Sequence, residues 1–303
     1  MDLPVRISVC IPTYNGAAFV AQAISSVLAQ SFADFELLVV DDRSTDATLE
    51  IVRSFTDPRL RVYQNDVQLG IPRNWNRCLS LARGEYLCLF HQDDVMLPEN
   101  LERKVGVLAS DPTIGFVHSA VEVVLEDSAP TAIADWMERA TEDFAVDGAC
   151  YFRKLLFAGN PICAPTVVTR RRSLLELGGF DEELGFACDY EMWMKLCVQS
   201  GVAFLAQTLI RYRWHDQNAS HAYRFEQGAE ECLIAGRRAL QYYLQRTGQP
   251  GEEEILQNAL ESVARLRKWA AELERGRAWL EEQRASWQHV AEEREKMFRE
   301  QQA

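Results

Sequence analysis

The chain has 303 residues, 48% of them hydrophobic, and a formal net charge of −13. That size and apolar content allow one large domain or two modest ones around a sizeable core. The negative balance argues against a general nucleic-acid binder, while leaving room for a local cationic site for a small anion.

The opening stretch MDLPVRISVCIP lacks the charged, apolar and cleavage regions of a secretory signal. No apolar run approaches the ~18 residues of a spanning helix. Eight cysteines (Cys10, Cys78, Cys88, Cys150, Cys163, Cys188, Cys197 and Cys232) are scattered without a CxxC pair, so a zinc site is not expected. Several lie in apolar runs, and the expectation is a reducing, cytoplasmic compartment.

ISVCIP (7–12) is a β-branched strand stopped by Pro12. Residues 17–30 carry Phe19, Val20, Ala23, Ile24, Val27 and Leu28 at helical spacing. FELLVV (35–40) is a buried strand closed by DDRSTD; a short helix follows over about 47–54. LRVYQN (60–65) is a third strand, and residues 71–84 form a helix with Pro72 in its first turn and Gly84 at its end. EYLCLF (85–90) is the fourth strand. Such alternation predicts an α/β fold, with a Rossmann-like, mostly parallel sheet flanked by helices. Ligands on these sheets bind beyond the carboxyl ends of the strands. PTYNG, DDRSTD and HQDD each follow a strand end, so they can converge on one edge.

The middle is less regular. IGFVHSAVEVVL (114–125), APTVVT (164–169) and VAFLAQTLIRYRWH (202–215) read as strands; 171–180 and 189–201 read as helices ended by glycine. From about Ala222 no strand is evident. Leu266, Leu273, Leu280 and Trp287 then recur every seven residues, with a second seam interrupted at Gly276 and Gln283. That pattern predicts a coiled coil over about 252–303 and a homo-oligomer, with docking on the globular part as the rival. The expected division is a catalytic domain over 1–221 (a nucleotide-binding part over about 1–115, an acceptor part over about 116–221) and a helical extension over 222–303.

Asp93 and Asp94 stand side by side at the end of the fourth strand. Adjacent carboxylates repel, and a hard divalent cation offsets that repulsion while neutralising phosphates. A solvated turn before the helix that opens near Pro98 is the plainer alternative.

The ordered series IPTYNG, VVDDRSTDAT, NDVQLGIPRNWN, ARGEYLCLFHQDD, GGFDE, CDYEMWMKL and YRWHDQNAS resembles the family 2 glycosyltransferases over about residues 5–220. The resemblance implies a GT-A fold and an inverting transfer from a nucleotide-diphosphate sugar, UDP- or dTDP-linked by preference. The implied acceptor is a glycan, or a lipid or protein carrying one, in bacterial surface polysaccharide synthesis, with peripheral attachment to the inner face of the plasma membrane conceivable. The implied cofactor is Mn2+ or Mg2+, held by Asp93, Asp94 and His215. The family's Asp-x-Asp is altered here. Either His91 stands at the first aspartate and Asp93 holds the metal, or Asp93 contacts the ribose and Asp94 the metal; in both registers His91 lies beside the nucleotide. Pro12, Thr13 and Tyr14 match the loop that packs on the base, Asp41 the acceptor of its imide N–H, and Arg73 an arginine that reaches the nucleotide. Asp189 matches the general base, with Glu191 as its competitor because Cys188 replaces the usual acidic neighbour. Gly179, Asp181 and Arg213 belong to the implied acceptor and phosphate region, although Gly178 and Gly179 equally suit a helix C-cap. A scaffold that has lost activity and works through its coiled coil is the alternative function. The first strand does not lead into GxGxxG, which argues against a nicotinamide-dependent dehydrogenase.

Overall fold

The computed structural model describes residues 5–125, 130–131, 137–215, 218 and 225–247. The first seven elements alternate as the periodicity predicts, with ends shifted by a few residues. They are β1 (Ile7–Thr13), α1 (Val20–Leu28), β2 (Phe35–Asp41), α2 (Thr48–Arg53), β3 (Leu60–Gln64), α3 (Ile71–Leu81) and β4 (Tyr86–Leu89). Then come β5 (Val95–Met96), α4 (Asn100–Ser110), β6 (Ile114–Leu125), β7 (Pro130–Thr131), β8 (Phe144–Val146), α5 (Gly148–Ala158), β9 (Val168–Arg170), α6 (Arg171–Glu176), α7 (Cys188–Gln199), β10 (Gly201–Trp214) and α8 (Phe225–Thr247).

One sheet runs β3-β2-β1-β4-β9-β6-β10-β5, with β7 on β6 and β8 on β10. The first four strands are mutually parallel, and so are β6 and β10. The remaining pairings are antiparallel, so the expected parallel sheet holds for the first half and the second half is mixed. The expected strand over 164–169 is also revised. Ala164–Thr166 is a 3-10 turn and only Val168–Arg170 pairs. Pro165 has no N–H for a ladder and fixes its own φ, so the strand starts after it.

The sheet is buried on both faces. Ile7, Val9 and Ile11 meet the layer of α1, α2 and α4, whereas Cys10, Leu38 and Leu89 meet the layer of α3, α5, α6 and α7. Alternation along a strand explains the division. β2 is buried along its whole length, as expected of a strand covered on both sides.

α8 packs along α7. Ala235, Ala239 and Tyr243, four apart, join the core that holds Trp193 and Leu196. The Tyr243 ring stacks on Phe152 at 4.7 Å, and the Gln199 amide donates to the Tyr242 hydroxyl at 2.9 Å. The packed unit therefore continues past residue 221. The heptad segment over 252–303 lies outside the described residues. Among the described residues, no helix is long and apolar enough to cross a membrane.

Removing the Tyr243 ring leaves a cavity between α5 and α8. Tyr243→Ala is expected to cost about 3 kcal/mol in urea unfolding with an unchanged slope. A loss below about 1 kcal/mol would separate α8 from the cooperative unit.

Candidate active site

The carboxyl ends of β2, β1 and β4 lie side by side, and the three polar loops meet there. Hydrogen bonds join the loops to one another. Asp41, fully buried, accepts from Ser44 N–H at 3.1 Å, Ser44 Oγ at 2.5 Å, Thr13 Oγ1 at 3.3 Å and Gln64 Nε2 at 3.3 Å. Asp42 takes the backbone N–H groups of Leu69 and Gly70 at 2.7 and 2.8 Å, which pins the loop before α3. Asp46 accepts from Thr48 N–H at 3.0 Å at the start of α2 and from Ala17 N–H at 3.1 Å. Asn15, at φ 47°, accepts from Thr45 N–H at 2.8 Å.

Gln92 fastens the first loop to the acid loop. Its Oε1 accepts from Tyr14 N–H at 3.0 Å and its Nε2 donates to Tyr14 O at 3.1 Å. A Cβ on Gly16 would stand 2.1 Å from Gln92 Oε1, so no side chain fits at position 16 while the amide is in place. The Tyr14 ring remains 41% exposed above this joint.

The two aspartates turn in different directions. Asp94 is fully buried, and its Oδ1 accepts from Arg213 N–H at 2.9 Å. Asp93 is more open, and its Oδ2 meets His215 Nε2 at 3.2 Å and Asn218 Nδ2 at 3.3 Å. Arg213 Nε donates to the Asp93 carbonyl at 2.9 Å, its Nη2 to Gln22 at 2.5 Å, and its guanidinium lies 4.8 Å over the Phe19 ring. Phe19 also packs on the His215 imidazole at 4.6 Å. Asn218 closes the turn, with its Oδ1 accepting from His215 N–H at 2.5 Å.

Asp94 Oδ2 and His91 Nε2 are buried without hydrogen-bond partners. Burial first, and then neighbouring Asp93, push the Asp94 carboxyl well above the usual range; the Arg213 N–H and charge offset only part of that. Donor atoms of His91, Asp93 and Asp94 lie within 4.8 Å of one another. An orphaned acid oxygen beside a second carboxylate is what a divalent cation satisfies, so the residues fit such an ion. His91, Asp93 and Asp94 offer imidazole and carboxylate donors, a set suited to manganese as well as magnesium, while His215 touches only Asp93 of the three.

Asp189 stands apart from the acid pair, in the first turn of α7. Its Oδ1 accepts from Tyr190 N–H at 2.6 Å, and its Oδ2 receives Asn160 Nδ2 at 3.5 Å. Burial raises its pKa to about 6, against the pull of these donors.

Glu191 is fully buried and pairs with Lys195 at 2.9 Å. Asp181 pairs with Arg238 of α8. Arg73 is 58% exposed and pairs with Glu182 at 3.0 Å. Gly178 and Gly179, at φ 84° and 82°, end α6 through N–H groups that return to Leu175 and Leu174. A Cβ on Gly179 would lie 2.5 Å from Asn76 Oδ1, which accepts from Phe180 N–H at 2.7 Å. Pro12 lies within β1, paired with Val40. Arg213 braces the acid pair from behind.

Residues 8–176 match the family described as glycosyl transferase family 2. The chain belongs to that family. A Mycobacterium tuberculosis protein of uncharacterised activity is 32% identical over 215 residues, 67% of this chain and 65% of that relative. An Escherichia coli UDP-Glc:alpha-D-GlcNAc-diphosphoundecaprenol beta-1,3-glucosyltransferase is 31% identical over 122 residues, 40% of this chain and 48% of its own length. The Staphylococcus aureus TarS structure with UDP-GlcNAc superposes with a TM-score of 0.61 at 21% identity, over 85% of this chain and 80% of that one. The fold is thus that of the family 2 transferases, while the chain spans less than two thirds of the length of the two sequence relatives named here.

Within this family 2 chain, Gln92, Asn160 and Asn218 went unmarked in the sequence. Gln92 and Asn218 lie inside the motif stretches HQDD and YRWHDQNAS, but neither residue type announces a backbone joint. Gln92→Ala removes both bonds to Tyr14. The Tyr14 amide is expected to exchange with solvent about tenfold faster, with the unfolding midpoint little changed. Hydrogen exchange read by mass spectrometry or NMR checks this, and unaltered protection would refute the joint.

Proposed function

We propose that the chain is an inverting sugar transferase using a UDP- or dTDP-sugar and a lipid-linked or glycan acceptor. The observation that carries this reading is the presence of acids on two different elements: a pair with an orphaned buried oxygen after β4, and a carboxylate on α7 whose pKa burial raises to about 6. One suits a diphosphate with its cation; the other suits an acceptor hydroxyl.

Asp93 and Asp94 would hold the divalent cation, Mn2+ or Mg2+, with His215 beside Asp93 and His91 beside Asp94, and the ion would supply charge neutralisation for the departing diphosphate. Tyr14, above the Gln92 joint, covers the base. Asp41 accepts the imide N–H of uracil or thymine, exchanging it for the long bond from Gln64. Asp189 takes the proton of the acceptor hydroxyl as its oxygen attacks the anomeric carbon from the face opposite the diphosphate. One C–O bond forms, the bond to the phosphate oxygen breaks, and the nucleoside diphosphate leaves with the electron pair. Such a reaction draws a nucleotide sugar and a lipid-linked acceptor from the cytoplasm and the inner face of its membrane. The TarS complex with UDP-GlcNAc and the lipid-linked sugar named for the Escherichia coli relative support donor and acceptor classes of this kind.

Three outcomes test the reading. Asp93→Asn is expected to abolish the manganese dependence of UDP binding in calorimetry; equal wild-type affinity in EDTA and in manganese would refute the metal role. Asp189→Asn is expected to lower turnover by about 10²–10⁴ while donor affinity stays within about twofold. The base must be deprotonated to act, and its pKa is raised to about 6. The wild-type kcat/KM should therefore be level above that pH and fall about tenfold per unit below it. A profile still level at pH 5 would assign the proton to another group.

A further inference from the structure

We infer that Trp193 is a positioning residue for Asp189: its indole N–H is the donor that aims the carboxylate at the acceptor hydroxyl. This rests on the reading of Asp189 as the base.

Trp193 follows Asp189 by four residues on α7, so the two side chains share one helix face. The indole is 3% exposed, and its Nε1 is buried without an aligned partner. Its ring is fixed, edge-on to Phe180 at 6.3 Å and stacked on Phe116 at 5.8 Å. The cavity beside it is lined by apolar groups, among them Trp75, Leu87, Leu89, Val167 and Phe180. A buried N–H is costly unless an acceptor meets it.

Asp189, one turn earlier on the same helix, is the acceptor the proposal assigns to it. Its present donors are uneven: Tyr190 N–H is short at 2.6 Å, and Asn160 sits at the 3.5 Å limit. Trp193 already helps to hold the acid's pKa down, together with these two, although its N–H is not aligned on either oxygen. A small turn of the carboxylate away from Asn160 aligns it with this N–H before any acceptor enters. Other titratable groups face the pair from the elements packed there. The thiols of Cys163, Cys188 and Cys232 are pushed up by burial and stay neutral. Glu231 of α8 is held by the N–H groups of Phe186 and Ala187, while Glu191 pairs with Lys195 and Asp181 with Arg238.

The test compares wild type, Trp193→Phe and Phe180→Leu on the full chain. One measurement is the Asp189 titration, followed by carboxyl 13C NMR; the other is the pH profile of kcat/KM. Loss of the donor should raise the Asp189 pKa by about one unit in Trp193→Phe, moving the acid limb upward by the same amount. Activity well above the limb should fall less than at pH 6. Phe180→Leu thins the same packing without removing an N–H, and should lower stability while leaving the titration in place. If Trp193→Phe folds poorly, replacing the indole by benzothienylalanine keeps the shape and deletes only the donor. An Asp189 that titrates at the wild-type pH in that variant overturns the proposal. Full activity of Asp189→Asn would instead overturn the base reading, and the NMR titration separates the two failures.

Discussion

Holding two neighbouring carboxylates at the mouth of a buried sheet is the constraint on which the rest depends. Asp93 and Asp94 follow β4 directly, and Asp94 has no water to screen it. The answer comes from β10, far away in sequence. Its residue Arg213 gives a backbone N–H to Asp94 and a side-chain N–H to the Asp93 carbonyl. A backbone donor cannot titrate or rotate away, so the support of Asp94 is fixed by strand register. That register is set by β10 lying parallel to β6 and, across Ile210 and Arg211, antiparallel to β5. The irregular second half of the sheet thus serves to bring one strand end back under the acid loop.

α7 divides its faces between chemistry and anchorage. Asp189 and Trp193 point to one cluster, which reaches β6 through Phe116. Glu191 and Lys195 close an ion pair in the buried interior, near the Asp181–Arg238 pair that ties the preceding loop to α8. Burial raises both carboxyls, and only part of the rise is offset: at Glu191 by the charge of Lys195, at Asp189 by the neutral donors Tyr190 N–H and Asn160. The same helix therefore carries one acid beside a cation and another that meets only neutral donors.

The first half of the fold was legible because its strands are continuous apolar runs and its helices carry regular stripes; nothing in β1 to β4 requires distant information. The loops were legible for the same reason, since a polar stretch after a buried strand has few places to go. β9 was misjudged at its start because Pro165 hides in a β-branched run. Arg73, Asp181 and Glu191 show what a motif does not carry. Each has the right chemistry near the right motif, yet each is paired within the fold, and pairing is a tertiary fact. Gln92 and Asn218 failed in the opposite sense, because an amide that bridges two backbones leaves no periodicity to read.

The contact between Gly16 and Gln92 bears on how this scaffold can be altered. The amide occupies the space a Cβ would need, and in return it fastens the loop that ends β1 to the loop that ends β4. The two positions form a single unit although 75 residues of sequence lie between them. Grafting a donor loop from a relative with a side chain at the first position would displace the amide and free both loops. Exchange of substrate preference between such enzymes must move both positions together, or it will transfer a binding surface without the joint that keeps it in place.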